Sequence, residues 1–299
     1  MSDPVLRGVL PAFPTPTTAD GAVDEPALRR LVQFLLEGGA TGLVPVGGTG
    51  EYTALSPAAR TQVVEITAEV AAGKVPVVAG VLSPGYAEAV QTGRDFAAAG
   101  ADALLLIAPF YVTPSQQGIR DYFRAYRNDV DASLVFYDIP YRTGIVTSPA
   151  TLLDLAADRT VIGMKACNTD LHHFNQIASA VDDRFALLSG EDTLFPAHVA
   201  LGACGGILAS AALLPAYWAH MFEAASAGRL DDAIVQQRRL LPILSAIFSE
   251  PNPGPLKEAL AMIGLPSGHV LPPLRRPAEA TMAALRTAID DLRTDGLLG

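Results

Sequence analysis

The feature that most constrains this chain is a regular alternation. Short apolar runs, each bounded by glycine or proline, alternate with longer segments whose apolar residues recur at helical spacing. Runs expected as strands fall at 9–13, 42–46, 75–79, 103–107, 133–137, 161–165, 185–189 and 206–209. Most are apolar throughout, the mark of strands buried on both faces, as in parallel sheets covered by helices. Between them, 24–36 carries Leu28, Leu31, Val32, Leu35 and Leu36 on one helical face. Ser56-Pro57, Ser83-Pro84 and Ser148-Pro149 each offer a serine cap ahead of a proline in the first helical turn. Glycines at Gly38-Gly39, Gly73 and Gly100 mark helix ends.

Eight strand-then-helix units predict an α/β fold, a (β/α)8 TIM barrel with a C-terminal helical extension. The barrel core is expected over 1–212. The last barrel helix and a helical region, an appendage or oligomer surface, are expected over 213–299, with helices over 215–227, 230–248, 255–263 and 277–292. An open doubly wound sheet is the competing topology. It would want a phosphate fingerprint after its first strand, where this chain has Phe13-Pro-Thr-Pro16.

Composition narrows the function. The net charge of −10 argues against a nucleic-acid partner. No apolar run is long enough to span a membrane. The opening Met1-Ser-Asp-Pro4 has neither a basic nor an apolar signal region, so a cytoplasmic location is expected. The two cysteines, Cys167 and Cys204, have no metal-type spacing and read as reduced core residues. The histidines are adjacent on one helix (His172-His173) or scattered, so no metal site is expected.

In such a barrel, chemistry sits at the C-terminal ends of the strands. The run Val161-Ile-Gly-Met-Lys165 delivers a lysine to that position. Burial there disfavours an ammonium and leaves amine free to attack a carbonyl. Tyr137 ends the fifth expected strand with Arg142 in the loop beyond, a proton donor and acceptor beside a carboxylate clamp. Gly47-Gly-Thr-Gly-Glu51 offers backbone amides to an anion, with the Thr49 hydroxyl beside them. Tyr111 follows the fourth strand near the expected active-site rim. Together these suggest a 2-oxo acid held by its carboxylate and condensed with the amine, with no separate cofactor.

The motifs Gly47-Gly-Thr-Gly-Glu51, Tyr137-Asp-Ile-Pro-Tyr-Arg-Thr-Gly144, Gly163-Met-Lys165, Ser189-Gly-Glu-Asp192, Leu201-Gly-Ala-Cys-Gly-Gly206 and Asn252-Pro-Gly-Pro-Leu-Lys257 resemble the dihydrodipicolinate synthase / N-acetylneuraminate lyase family in order and spacing. The resemblance implies class I lyases forming a pyruvate Schiff base, commonly homotetramers built from tight dimers. It implies Lys165 as the Schiff-base lysine, Tyr137 as the catalytic tyrosine, and Gly48 with Thr49 as the carboxylate-binding pair. It further implies Ile207 as a main-chain carbonyl near substrate, Tyr111 as a tyrosine lent across the dimer interface, and Arg142 as the clamp for a second substrate. Gly48 departs from the synthases, which carry a relay threonine there, and resembles the family's sugar-acid dehydratases. Pro84 and Phe110 replace the asparagine and tyrosine usual in lysine-regulated members.

Three readings follow. One is a class I lyase or aldolase acting through a lysine imine on pyruvate or on a 2-oxo acid of the 2-keto-3-deoxy sugar acid type. The second is 4-hydroxy-tetrahydrodipicolinate synthesis from pyruvate and aspartate semialdehyde. The third, of another class, is a non-catalytic 2-oxo acid-binding or regulatory protein.

Overall fold

The computed structural model describes residues 3–265 and 268–298. Seven strands are formed among them: β1 (Gly8–Pro11), β2 (Val78–Val81), β3 (Ala103–Ile107), β4 (Ser133–Asp138), β5 (Gly163–Ala166), β6 (Ala186–Ser189) and β7 (Gly205–Leu208). They make one parallel sheet in the order β1-β7-β6-β5-β4-β3-β2. Helices connect successive strands, and all but the first residues of β4 and β6 are buried. That double burial is why these segments read as continuous apolar runs.

The second expected strand, 42–46, is the main correction. Its residues lie between the two sheet edges but pair only through isolated parallel bridges, Ala12 with Val44 and Leu43 with Val77. Val44 N donates to Pro11 O at 3.0 Å, and Val78 N donates to Leu43 O at 2.8 Å. A continuous ladder fails for two local reasons. Pro45 has no N–H to donate, and Val46 turns into left-handed backbone at φ 48°. The third expected strand, 75–79, forms three residues later than read. Pro76 again lacks a donor, and the Val77 N–H is taken by Asp102 Oδ2 at 2.8 Å.

The capping reading holds at two of three places. Ser56 and Ser148 cap Pro57–Ala71 and Pro149–Ala157 by accepting from Ala59 N and Thr151 N. Ser83 does not cap; the helix Tyr86–Ala98 starts beyond it from Gly85. The Ser83 hydroxyl is instead buried 2.6 Å from that of Tyr52, which outcompetes a solvent-exposed cap.

The C-terminal helices are Pro215–Ser226, Leu230–Ile247, Gly254–Met262 and Glu279–Thr294, each within about two residues of expectation. Pro215–Ser226 packs on β1 and on Phe195–Ala200. No described helix is long and apolar enough to cross a membrane.

Candidate active site

Register creates the site. In the parallel β4–β5 pair, Tyr137 is opposite Lys165, so both side chains leave the same face of the sheet. Lys165 Nζ stands 4.7 Å from the centre of the Tyr137 ring, and the two residues are 7% and 5% exposed. Both line a cavity of about 590 Å³, as do Gly48, Thr49 and Arg142. Five of the seven residues expected from sequence thus converge on one space.

Each is held differently. Gly48 and Thr49 lie in a compact turn in which Glu51 N and Tyr52 N donate to Gly48 O and Gly47 O, both at 3.3 Å. Thr49 Oγ1 accepts from Asn252 Nδ2 at 2.8 Å. A side chain at Gly48 would meet nothing within 4 Å, and its backbone is not in the left-handed region. Neither packing nor conformation demands glycine there, so the missing side chain leaves open room. Arg142 rides on the short helix Pro140–Thr143 and is exposed, its guanidinium carbon 5.9 Å from the centre of the Tyr141 ring.

The other two stand apart. Tyr111 is 95% exposed with φ 73° and does not line the cavity. Ile207 is buried within β7 opposite Leu10, and Ala209, two residues later, reaches the cavity instead.

Burial drives the Tyr137 hydroxyl well above the ordinary phenol range; nearby Cys167 adds to the rise and Arg142 opposes it. At neutral pH it is therefore a protonated donor. Cys167 Sγ donates to Gly190 O at 3.3 Å, and burial pushes this thiol up to about 12, so it is not a thiolate nucleophile. A Cβ on Gly190 would collide with Cys167 Sγ and lie 3.0 Å from Lys165 Cγ. Only glycine lets the chain pass so close to the lysine.

Two acids here appear in the sequence reading only as part of the Ser189-Gly-Glu-Asp192 motif, with no role assigned. Glu191 and Asp192 line the cavity just beyond β6, a place the strand-end rule could have flagged. Asp192 is buried; its Oδ1 accepts from Ser210 N at 2.8 Å and from the Ser210 hydroxyl. Burial, then the neighbouring Asp192, pushes Glu191 up to about 7, while Lys165 pulls the other way. Glu191 is thus neutral below about pH 7 and anionic above it. The anion would oppose a bound carboxylate by about 1 kcal/mol or more at an effective dielectric near 20. The half-saturating concentration of a 2-oxo acid is therefore expected to rise about fivefold between pH 6 and 8. Glu191→Gln should flatten that rise, and titrations of the two proteins that run parallel would refute the assignment.

Asp138, at the end of β4, is another buried acid. Neither carboxyl oxygen has a hydrogen-bond partner among the described residues, and burial pushes the group up to about 7. Between about pH 4 and 7 the folded chain keeps a proton that the unfolded chain has released. Stability therefore falls as pH rises through that window. Asp138→Asn is expected to gain about 2–4 kcal/mol relative to the parent at pH 8, with the gain vanishing near pH 4. Urea unfolding at both pH values checks this; a pH-independent difference would contradict it.

Among the described residues no group of three or more His, Cys, Asp or Glu is placed to hold a metal ion. The site offers an enclosed amine, a protonated phenol beside it, and the Gly48–Thr49 turn on the same cavity. Such a set can make and break an imine.

Comparison with known proteins agrees in class. The Dihydrodipicolinate synthetase family profile matches residues 5–292. A 4-hydroxy-tetrahydrodipicolinate synthase from Acidiphilium cryptum is 38% identical over 288 residues, covering 96% of this chain and 99% of its own. One from Syntrophus aciditrophicus is 35% identical over 295 residues, covering 99% and 100%. The crystal structure of a dihydrodipicolinate synthase from Thermotoga maritima superposes with a TM-score of 0.93 at 29% identity, covering 98% and 99%. This chain belongs to the dihydrodipicolinate synthetase family and is a lyase.

Proposed function

We propose that the chain is a class I lyase that holds pyruvate, or the pyruvate portion of a longer 2-oxo acid, as an imine on Lys165. The pairing of Lys165 with Tyr137 across β4 and β5 carries this reading. In it, the Gly48–Thr49 turn receives the carboxylate, and the Lys165 amine adds to the ketone carbon. Tyr137 donates a proton to the departing oxygen, which leaves as water. The resulting iminium accepts the electron pair released when the bond to the next carbon's substituent breaks, and hydrolysis returns amine and product. A pure binding protein would need neither an enclosed amine nor a proton donor beside it.

The scaffold in this proposal is a (β/α)8 barrel over 1–212, closed by the bridging residues near 43–44 between β1 and β2. Residues 213–299 supply its last helix and a helical region, of which 248–252 also form a wall of the cavity. Exposed Tyr111 suits a subunit contact in a homotetramer.

For the rest of the substrate, the open room at Gly48 and the acid Glu191 favour a hydroxylated chain, as in a 2-keto-3-deoxy sugar acid. The second reading, condensation of pyruvate with aspartate semialdehyde, is favoured by the names of the relatives and by Arg142 at the cavity. Steady-state assays separate the two. Turnover of 2-keto-3-deoxy sugar acids with negligible condensation supports the first. Efficient consumption of aspartate semialdehyde only when pyruvate is present would replace it with the second.

A further inference from the structure

The turn holding Gly48 and Thr49 is tied to the far end of the chain. Glu51 closes that turn at φ 57°, a left-handed conformation unusual for a residue with a side chain. Its carboxylate pairs with Lys257, and both side chains are 2% exposed. Glu51 Oε1 also accepts from Leu271 N at 2.7 Å, and Lys257 Nζ donates to His269 O at 2.7 Å. Thr17 Oγ1 donates to that same carbonyl at 2.8 Å, and Thr17 bridges Gly268. On the other flank, Thr15 Oγ1 donates to Gly50 O at 2.8 Å. The pair is thus the centre of a polar clasp joining the turn, the segment after β1, and residues 268–271.

Stability alone is a weak reason for such a pair. Two buried charges lose hydration that their attraction only partly returns, and apolar replacements are often as stable. Geometry is a better reason. Neither side chain lines the cavity, yet Glu51 is only two residues from Thr49. Lys257 lies in Gly254–Met262, the helix that follows the cavity-wall residues Pro251 and Asn252.

We infer that Glu51 and Lys257 are positioning residues for 2-oxo acid binding, their ion pair fixing the Gly48 and Thr49 amides towards the substrate carboxylate. The inference rests on the reading of that turn as the carboxylate cradle. It makes the C-terminal helical region part of substrate affinity rather than a separate appendage.

The test measures pyruvate capture by borohydride as a function of pyruvate concentration, for the parent, Glu51→Gln and Lys257→Met. Lys165 and Tyr137 are untouched, so capture at saturating pyruvate should stay within about threefold of the parent. The half-saturating concentration should rise about 10- to 100-fold, the scale of an ångström-sized misplacement of a binding group. Glu51→Gln is isosteric, keeps the acceptor for Leu271 N, and carries the test if Lys257→Met does not fold. Lower melting temperatures with unchanged half-saturation would reduce the pair to a structural role and overturn the inference. A parent protein that captures no 2-oxo acid would overturn the cradle reading, and the inference with it.

Discussion

Lys165→Ala is expected to abolish covalent capture of a 2-oxo acid and to lower turnover by about 10⁴–10⁶-fold, the range seen when a covalent nucleophile is removed. The chain makes this unusually clear, because it contains only three lysines, Lys74, Lys165 and Lys257. Lys74 is exposed on the surface, and Lys257 is committed to Glu51. Lys165 alone combines burial with a wall of the cavity. Its removal deletes the atom to which substrate must bond, and neither other amine lines that space. The fold should survive, since alanine keeps the β5 backbone pairing and the lost stem borders a cavity. Capture and turnover persisting in a folded Lys165→Ala protein would refute the assignment.

Tyr137→Phe is the second large effect. The phenol is buried and held protonated, with its ring against the lysine amine. Removing only the hydroxyl keeps the ring, the β4 pairing and the cavity outline. Imine formation, followed by stopped-flow or by timed borohydride quenching, should slow about 10²–10⁴-fold, the usual worth of a positioned proton donor. Binding of the 2-oxo acid before imine formation should change little, because the carboxylate is assigned to the turn at Gly48 and Thr49. An unchanged rate would remove Tyr137 from the mechanism.

How much of this was legible in the sequence follows from range. Lys165 and Tyr137 could be assigned from sequence to the cavity they line because a strand end is a local signal, and the strand-end rule says where chemistry gathers. The helices of the C-terminal region were legible through their period and their proline punctuation. The bridge at 43–44 was misread as a full strand because apolar character says nothing about donor supply, and Pro45 withholds one. Glu191 stood in the sequence only as a member of the Ser189-Gly-Glu-Asp192 motif, and the fold places it in the cavity. The Glu51–Lys257 pair spans more than two hundred positions, and no local pattern announces a contact of that separation. Ile207 came from resemblance alone and Tyr111 from its place after the fourth strand as well; in the single chain neither lines the cavity.

The most direct measurement is borohydride reduction of the native protein with pyruvate, followed by intact-mass analysis and peptide mapping. One pyruvate-derived adduct per chain is expected, located on Lys165. An adduct on Lys74 or Lys257 instead, or none with pyruvate or any longer 2-oxo acid, would contradict it.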